Sequence, residues 1–474
     1  MAVNMTAINK DLTLWTAAAD GKIRGFDKAG STPLDVRAFP GAEGRAALTR
    51  GAAGYTGTKS LAFVDNLNDS GAGSLRAAIE GTGKEGTFVI FRTSGIIELA
   101  TRLDCLSDYI TVAGQTSPSG FCTEGSAVQF GSDATAVSDI IVRHCRFRPG
   151  YQTQVSGGTV APEDSEGLRI WKANNVMIDH CSISWAGDEN SSATTYNDGS
   201  VYDLTWSYCL NSQGLTSAVF PDTGEGNHGY GLLFNGSYHN SPENGMDVHH
   251  CIFAHFNDRT PQLSGAGRFN VVNNIVYNPY ASQGVKLVAY DSVIGQDSLF
   301  VNYTNNYVIP GIATNDSIND GGNAAEITLS IDSVAVTPWD MLFMENNYGV
   351  QRLADVDPEW QLSENYSGAL ASTDWQSLTK FSITGGVAVT ETTLTAATLT
   401  TFRDALLADV GATIPSSDAQ DVQTINEVSA GGGSLLAVAD YSTNPEIWPT
   451  YGSASYPTDT AGDGIPDAWW VFRN

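Results

Sequence analysis

Few residue types in this chain can carry chemistry, and carboxylates dominate them. Of 474 residues, 52 are acidic and 24 basic, a formal net charge of −28. Such oxygen ligands suit hard divalent cations, although most belong to a solvated acidic surface. The same charge argues against phosphate backbones and anionic membranes as partners, so neither nucleic acid nor membrane binding is expected. His228 stands in a Gly-rich loop, EGNHGYG, whose surroundings predict exposure and contact with a ligand. His180, His249 and His250 sit in apolar-alternating runs and read as satisfied core or edge histidines. Six cysteines contain no C-x-x-C pair and match no zinc spacing.

The elements that position these groups read as short β-runs, with little helical periodicity. Four of them, DIIVRHCRF, NVMIDHCSI, YDLTWSYCL and MDVHHCIF, each end near a cysteine: Cys145, Cys181, Cys209 and Cys251. A strand repeated without a strict period, between loops of variable length, is what a coiled β-solenoid produces. Small apolar Cys fits an inward rung of such a stack. After Cys251, Asn pairs take similar places: Asn273 and Asn274, Asn305 and Asn306, Asn346 and Asn347. Buried Asn can hydrogen-bond up and down the ladder. Glu189 lies eight residues after Cys181, and Arg259 eight after Cys251. If those cysteines are two coils apart, both side chains emerge on one face, roughly 10 Å apart along the axis.

An open solenoid end needs a cap, and SLRAAIE, from Ser74 to Glu80, predicts a short helix at the N-terminal end. Beyond residue 355 the strand repeat fades. Leu399, Phe402, Leu406 and Val410 share a helical face that Gly411 would stop, and Asp418 opens a second helix carrying Val422, Ile425 and Val428. The expected fold class is therefore all-β, a solenoid with an N-terminal capping helix and a small C-terminal helical and loop region. The expected division is an N-terminal arm over 1–36, the solenoid over 37–355 and a C-terminal region over 356–474 packed against it.

Many ordered motifs resemble the bacterial pectate lyases of the first polysaccharide lyase family. They include AFPGAEG, NLNDSGAGSLRAAIE, ITVAGQTSPSG, IIVRHCRFRPG, MIDHCSISWAGDE, HGYG and HHCIFAHFNDRTP, with later matches reaching GDGIPDAWW. The resemblance implies a right-handed parallel β-helix that cleaves an acidic polysaccharide by β-elimination, assisted by calcium. It makes Arg259 the base, and Asp164, Glu166, Asp188 and Glu189 the calcium carboxylates. It also marks DTAGDGIPD as a calcium loop, with Asp459, Asp463 and Asp467 as ligands.

The chain departs from that family at two cations. The loop NSQGLTSAVFPDTGEGN holds no Lys or Arg, and Gln262 follows Pro261 where another substrate-holding Arg is usual. His228, Gln262 and Arg268, the last from a shifted place, are the candidates for holding substrate. These departures favour a methylated, neutral or differently decorated glycan, or a protein that binds without cutting. The alternative reading is a phage tail spike or adhesin, a homotrimer where the enzyme would be a monomer. The N-terminal sequence lacks the basic start and apolar run of a secretory signal. Extracellular action is expected, as a virion component if release is by lysis.

Overall fold

The computed structural model describes residues 37–150, 165–194, 200–216, 228–235, 245–265, 267–280, 285–289, 299–314, 327–331, 342–365, 376–383, 385–436, 448–453 and 458, besides three short strands before residue 36. Within 37–365 the chain winds as a parallel β-helix. Each turn adds one strand to each of three sheets, which hold ten, nine and eight strands among the described residues. One coil runs Ala173–Asp179, Ser182–Ser184 and Glu189–Thr194. The next runs Tyr202–Ser207, Leu210–Ser212 and Tyr230–Asn235. The strands pair in parallel, Val176 with Leu204, Ser182 with Leu210 and Ser191 with Leu232.

The corner from the ten-strand to the eight-strand sheet is a single left-handed residue. His144, His180, Tyr208, His250, Asn273, Asn305 and Asn346 occupy it with φ between 50° and 58°. A non-glycine residue rarely adopts this backbone, and Asn and His tolerate it better than most. The next residue turns inward, which buries Cys145, Cys181, Cys209, Cys251, Asn274, Asn306 and Asn347 in one ladder. All six thiols are free and buried. Along the ladder the Cys251 backbone N–H donates to Asn274 Oδ1 at 2.8 Å, Asn274 N–H to Asn306 Oδ1 at 3.0 Å, and Asn306 N–H to Asn347 Oδ1 at 2.9 Å. Glu359 closes it by accepting from the Asn347 backbone at 2.6 Å. Outside the same corner the rings of His144, His180, Tyr208 and His250 stack at 4.7 to 4.9 Å between neighbours.

The N-terminal cap is a helix, Leu75–Ile79, whose Ser74 Oγ accepts from Ala77 N–H at 3.1 Å. Leu75, Ala78 and Ile79 join the solenoid core. Two further helices, Leu399–Leu407 and Ala419–Ala430, lie in the C-terminal region. Gly411 does not stop the first, which ends four residues earlier. A Cβ there would meet Ser182 Oγ at 2.9 Å, so glycine lets the chain touch the sheet, where its N–H donates to Tyr208 O at 2.8 Å. The second helix also differs from its apolar pattern. Val422 is exposed, whereas Gln420, Asp421 and Thr424 are buried. The reason is on the sheet, where Arg146 and Arg148 are fully buried and ion-pair with Asp418 and Asp421. The helix face is polar because its partner is cationic.

Candidate active site

The nine-strand sheet carries the groups singled out for chemistry. Strand register sets which residues of neighbouring coils stand side by side on it. Leu168 pairs with Ser191, which aligns Glu166 with Glu189; Glu189 pairs with Tyr230, and Tyr230 bridges to Asp258 beside Arg259. Glu189 and Arg259 are thus two coils apart in backbone, but their side chains close the expected gap and form an ion pair.

Local backbone features aim Arg259 at Glu189. It sits in the left-handed region at φ 65°, and its N–H donates to Asp258 Oδ1 at 2.6 Å. Its carbonyl accepts from Leu232 N–H at 2.7 Å. The approach requires Gly231, where a Cβ would lie 2.5 Å from the Arg259 carbonyl oxygen. The guanidinium lies 4.0 Å over the Tyr230 ring, and the His228 ring also stacks on it, at 4.9 Å between centroids. His228 Nδ1 is 2.8 Å from Asp188 Oδ1. The consecutive acids Asp188 and Glu189 therefore hold His228 and Arg259, both of which contact Tyr230. His228 is 7% exposed, against the expectation of an exposed loop histidine, because this assembly covers it.

Glu166, one coil before Glu189, is also buried and paired. Arg169 Nε lies 3.0 Å from its Oε1, and the Ser192 hydroxyl donates to its Oε2. Glu166, Asp188 and Glu189 offer oxygen ligands of the kind a calcium ion takes, and each is engaged by a different partner, Arg169, His228 and Arg259 in turn. The residues present fit a divalent cation in ligand type, while their oxygens do not gather as the ligand-type atoms of His144, Asp179 and His180 do.

Gln262 lies on the same sheet, with its Nε2 donating to Ser264 Oγ at 2.9 Å. Arg268 does not join the group. It belongs to the ten-strand sheet, opposite Phe300, with its guanidinium 4.6 Å over that ring and donating to Ser382 O at 3.2 Å. That placement corrects the expectation that it stands in beside Arg259. Asp164, Asp459, Asp463 and Asp467 lie outside the described residues, as does 217–227 of the loop lacking Lys and Arg.

Reading the sequence missed Tyr230, Asp258, Arg169 and Lys286. Lys286 Nζ lies 2.9 Å from Asp258 Oδ2, and its strand pairs Lys286 with Gln262. The available signal was HGYG itself, which puts Tyr230 two residues after His228 on one strand face. A second cluster, His144, Asp179 and His180, brings ligand-type atoms together. Asp179 is committed there to Arg143 at 2.7 Å, His180 at 2.8 Å and Ser207 at 2.7 Å. His249 is buried and His180 half-buried, and both are hydrogen-bonded, as core or edge histidines are expected to be.

A family model described as pectate lyase matches residues 94–338. The chain is similar to a probable pectate lyase C of Aspergillus fumigatus, 28% identical over 431 residues, covering 91% of this chain and 86% of that one. It is also similar to a probable pectate lyase C of Aspergillus oryzae, 31% identical over 60% of this chain and 57% of the other. Among solved structures, the major allergen from cedar pollen shares the fold, with a TM-score of 0.50 at 13% identity, covering 78% of this chain and 92% of that one.

Proposed function

Because the chain belongs to the pectate lyase family and is a polysaccharide lyase, we propose that it cleaves a pectate-type uronate polymer outside the cell, by β-elimination with Arg259 as the base. The observation that carries this reading is the Arg259–Glu189 pair beside Glu166 on one sheet face. The relatives are named as lyases, so the adhesin alternative gains no support from them.

In the reaction, the C5–H bond breaks and its electrons form the C4–C5 double bond. The C4–O bond breaks, and the departing oxygen takes up a proton to become a hydroxyl. The C5 proton is weakly acidic, so the charge that develops must be stabilised. Glu166, Glu189 and Asp188, with Asp164 from the sequence, would hold calcium, which when bound supplies positive charge to the uronate carboxylate.

Free guanidinium is protonated at ordinary pH, so Arg259 has to be brought to accept a proton. Its contact with Glu189 favours the charged form. Were Glu189 to serve as a ligand, that hold would weaken, which would favour proton acceptance by Arg259. Tyr230 and the Asp258 turn keep its position. The test is incubation with polygalacturonate, with and without calcium, following unsaturated product by ultraviolet absorbance. Calcium-dependent product supports the reading; no product from any uronate polymer refutes it.

A further inference from the structure

On the nine-strand sheet Arg169, Ser192, Leu233, Gln262 and Lys286 form one column, aligned rung by rung. Among the described strand residues of the nine-strand sheet, Arg169 and Lys286 are the only cations. In a chain with 24 basic residues against 52 acidic ones, a lysine on this face needs a reason. Asp258 accounts for part of it. Its Oδ2 faces Lys286 Nζ, while its Oδ1 fixes the Arg259 backbone. An ammonium has three donors, however, and Asp258 Oδ2 at 2.9 Å takes one of them.

The neighbouring rung supplies an independent observation. Gln262 is 7% exposed, and its side-chain Oε1 is buried with no hydrogen-bond partner among the described residues. Its Nε2 is already engaged with Ser264. A buried carbonyl oxygen left without a donor is destabilising, and a sugar hydroxyl is a donor of the right kind. An ammonium with donors to spare thus pairs in register with an acceptor in need of one, Gln262 on the coil of Arg259 and Lys286 one coil further.

We propose that Gln262 and Lys286 form a uronate subsite, with Lys286 binding the sugar carboxylate and Gln262 Oε1 accepting from a neighbouring hydroxyl. This deepens the lyase reading and rests on it. The next coil thereby provides the carboxylate-binding cation that the sequence lacks at 262 itself. The subsite then distinguishes free uronates from their methyl esters, which cannot form the ion pair.

The test uses the full chain carrying Arg259→Gln, which stops cleavage, with calcium present. Trigalacturonate and its methyl ester are titrated calorimetrically into this protein and into versions adding Lys286→Ala, Lys286→Arg or Gln262→Ala. The expected results are a loss of at least tenfold in affinity for the acid with Lys286→Ala, less than twofold change for the ester, and retention with Lys286→Arg. Gln262→Ala weakens both ligands. Equal loss for acid and ester with Lys286→Ala, no change for either, or no binding by the Arg259→Gln parent overturns the proposal. Assay of the unaltered chain for unsaturated product separates this outcome from failure of the lyase reading. Cleavage with an unselective Lys286 sinks the subsite alone, and selective binding without cleavage sinks the lyase alone.

Discussion

Arg259 and Glu189, two coils apart, form an ion pair across the face of Tyr230. The proposed base thus already neutralises a proposed calcium ligand. Removing one should alter what the other can bind. In Arg259→Gln, lyase rate should fall by about 10²- to 10⁴-fold, the usual range for a lost general base. Calcium should meanwhile bind more tightly, by about fivefold, because a partly exposed pair of this kind is worth up to about 1 kcal/mol. Titration calorimetry of calcium alone checks it; weaker calcium binding would contradict the competition.

Burial without charge gives the acid side of the pH profile. Desolvation lowers His249 to about 3 and His250 to about 4, from an ordinary 6.5. The unfolded chain takes up these protons first, so stability declines as pH falls from about 6.5, and their penalty stops growing near 4 and 3. His250→Asn places at this left-handed corner the residue used at the next rung, Asn273. It should move the acid unfolding midpoint downward, as read by circular dichroism. An unchanged midpoint would assign acid unfolding to other groups.

The alkaline side follows from a different histidine of the same stack. Burial opposes the charge of His180, but Asp179 and Asp409 outweigh it and raise its pKa to about 9. A raised histidine gives stability that is complete below about 6.5 and lost as pH rises through 9. His180→Asn should flatten the decline in thermal midpoint between pH 7 and 10. A decline equal to that of the unaltered chain would refute this.

The start of the second C-terminal helix is anchored by charge, while Phe402, Leu406 and Leu407 of the first pack in an apolar cluster with Leu210, Ile252 and Tyr277. Arg148→Met leaves Asp418 and Asp421 with one fewer cation in a buried cluster, and breaking a buried pair costs about 3–5 kcal/mol. Urea denaturation should show that loss, and near-zero change would mean that the cluster contributes little.

Much of the solenoid was legible because its ten-strand sheet has long apolar-alternating strands ending in a fixed corner, so the Cys and Asn ladder stands out. The site-bearing sheet was not legible as strands. Its segments are short and polar, such as Glu189–Thr194 (ENSSAT) and Gln262–Ser264 (QLS), because their side chains bond to other polar groups of the sheet, Ser192 to Glu166 and Gln262 to Ser264. Glu189 and Arg259 could still be placed on one face, since both hang at equal offsets from ladder cysteines. The Arg259–Tyr230 and Lys286–Asp258 contacts could not, because they depend on side chains meeting between coils. The polar face of Ala419–Ala430 was hidden for a related reason: periodicity marks apolar contacts, and Arg146 and Arg148 are a charged partner.

The most direct measurement of the central claim is the appearance of unsaturated uronide from polygalacturonate, compared between the unaltered chain and Arg259→Gln in calcium. The unaltered chain should give ultraviolet-absorbing product that disappears on chelation, and Arg259→Gln should give at most about one hundredth of that rate while remaining folded. Product formation by Arg259→Gln at the unaltered rate, or none from the unaltered chain, would contradict the account.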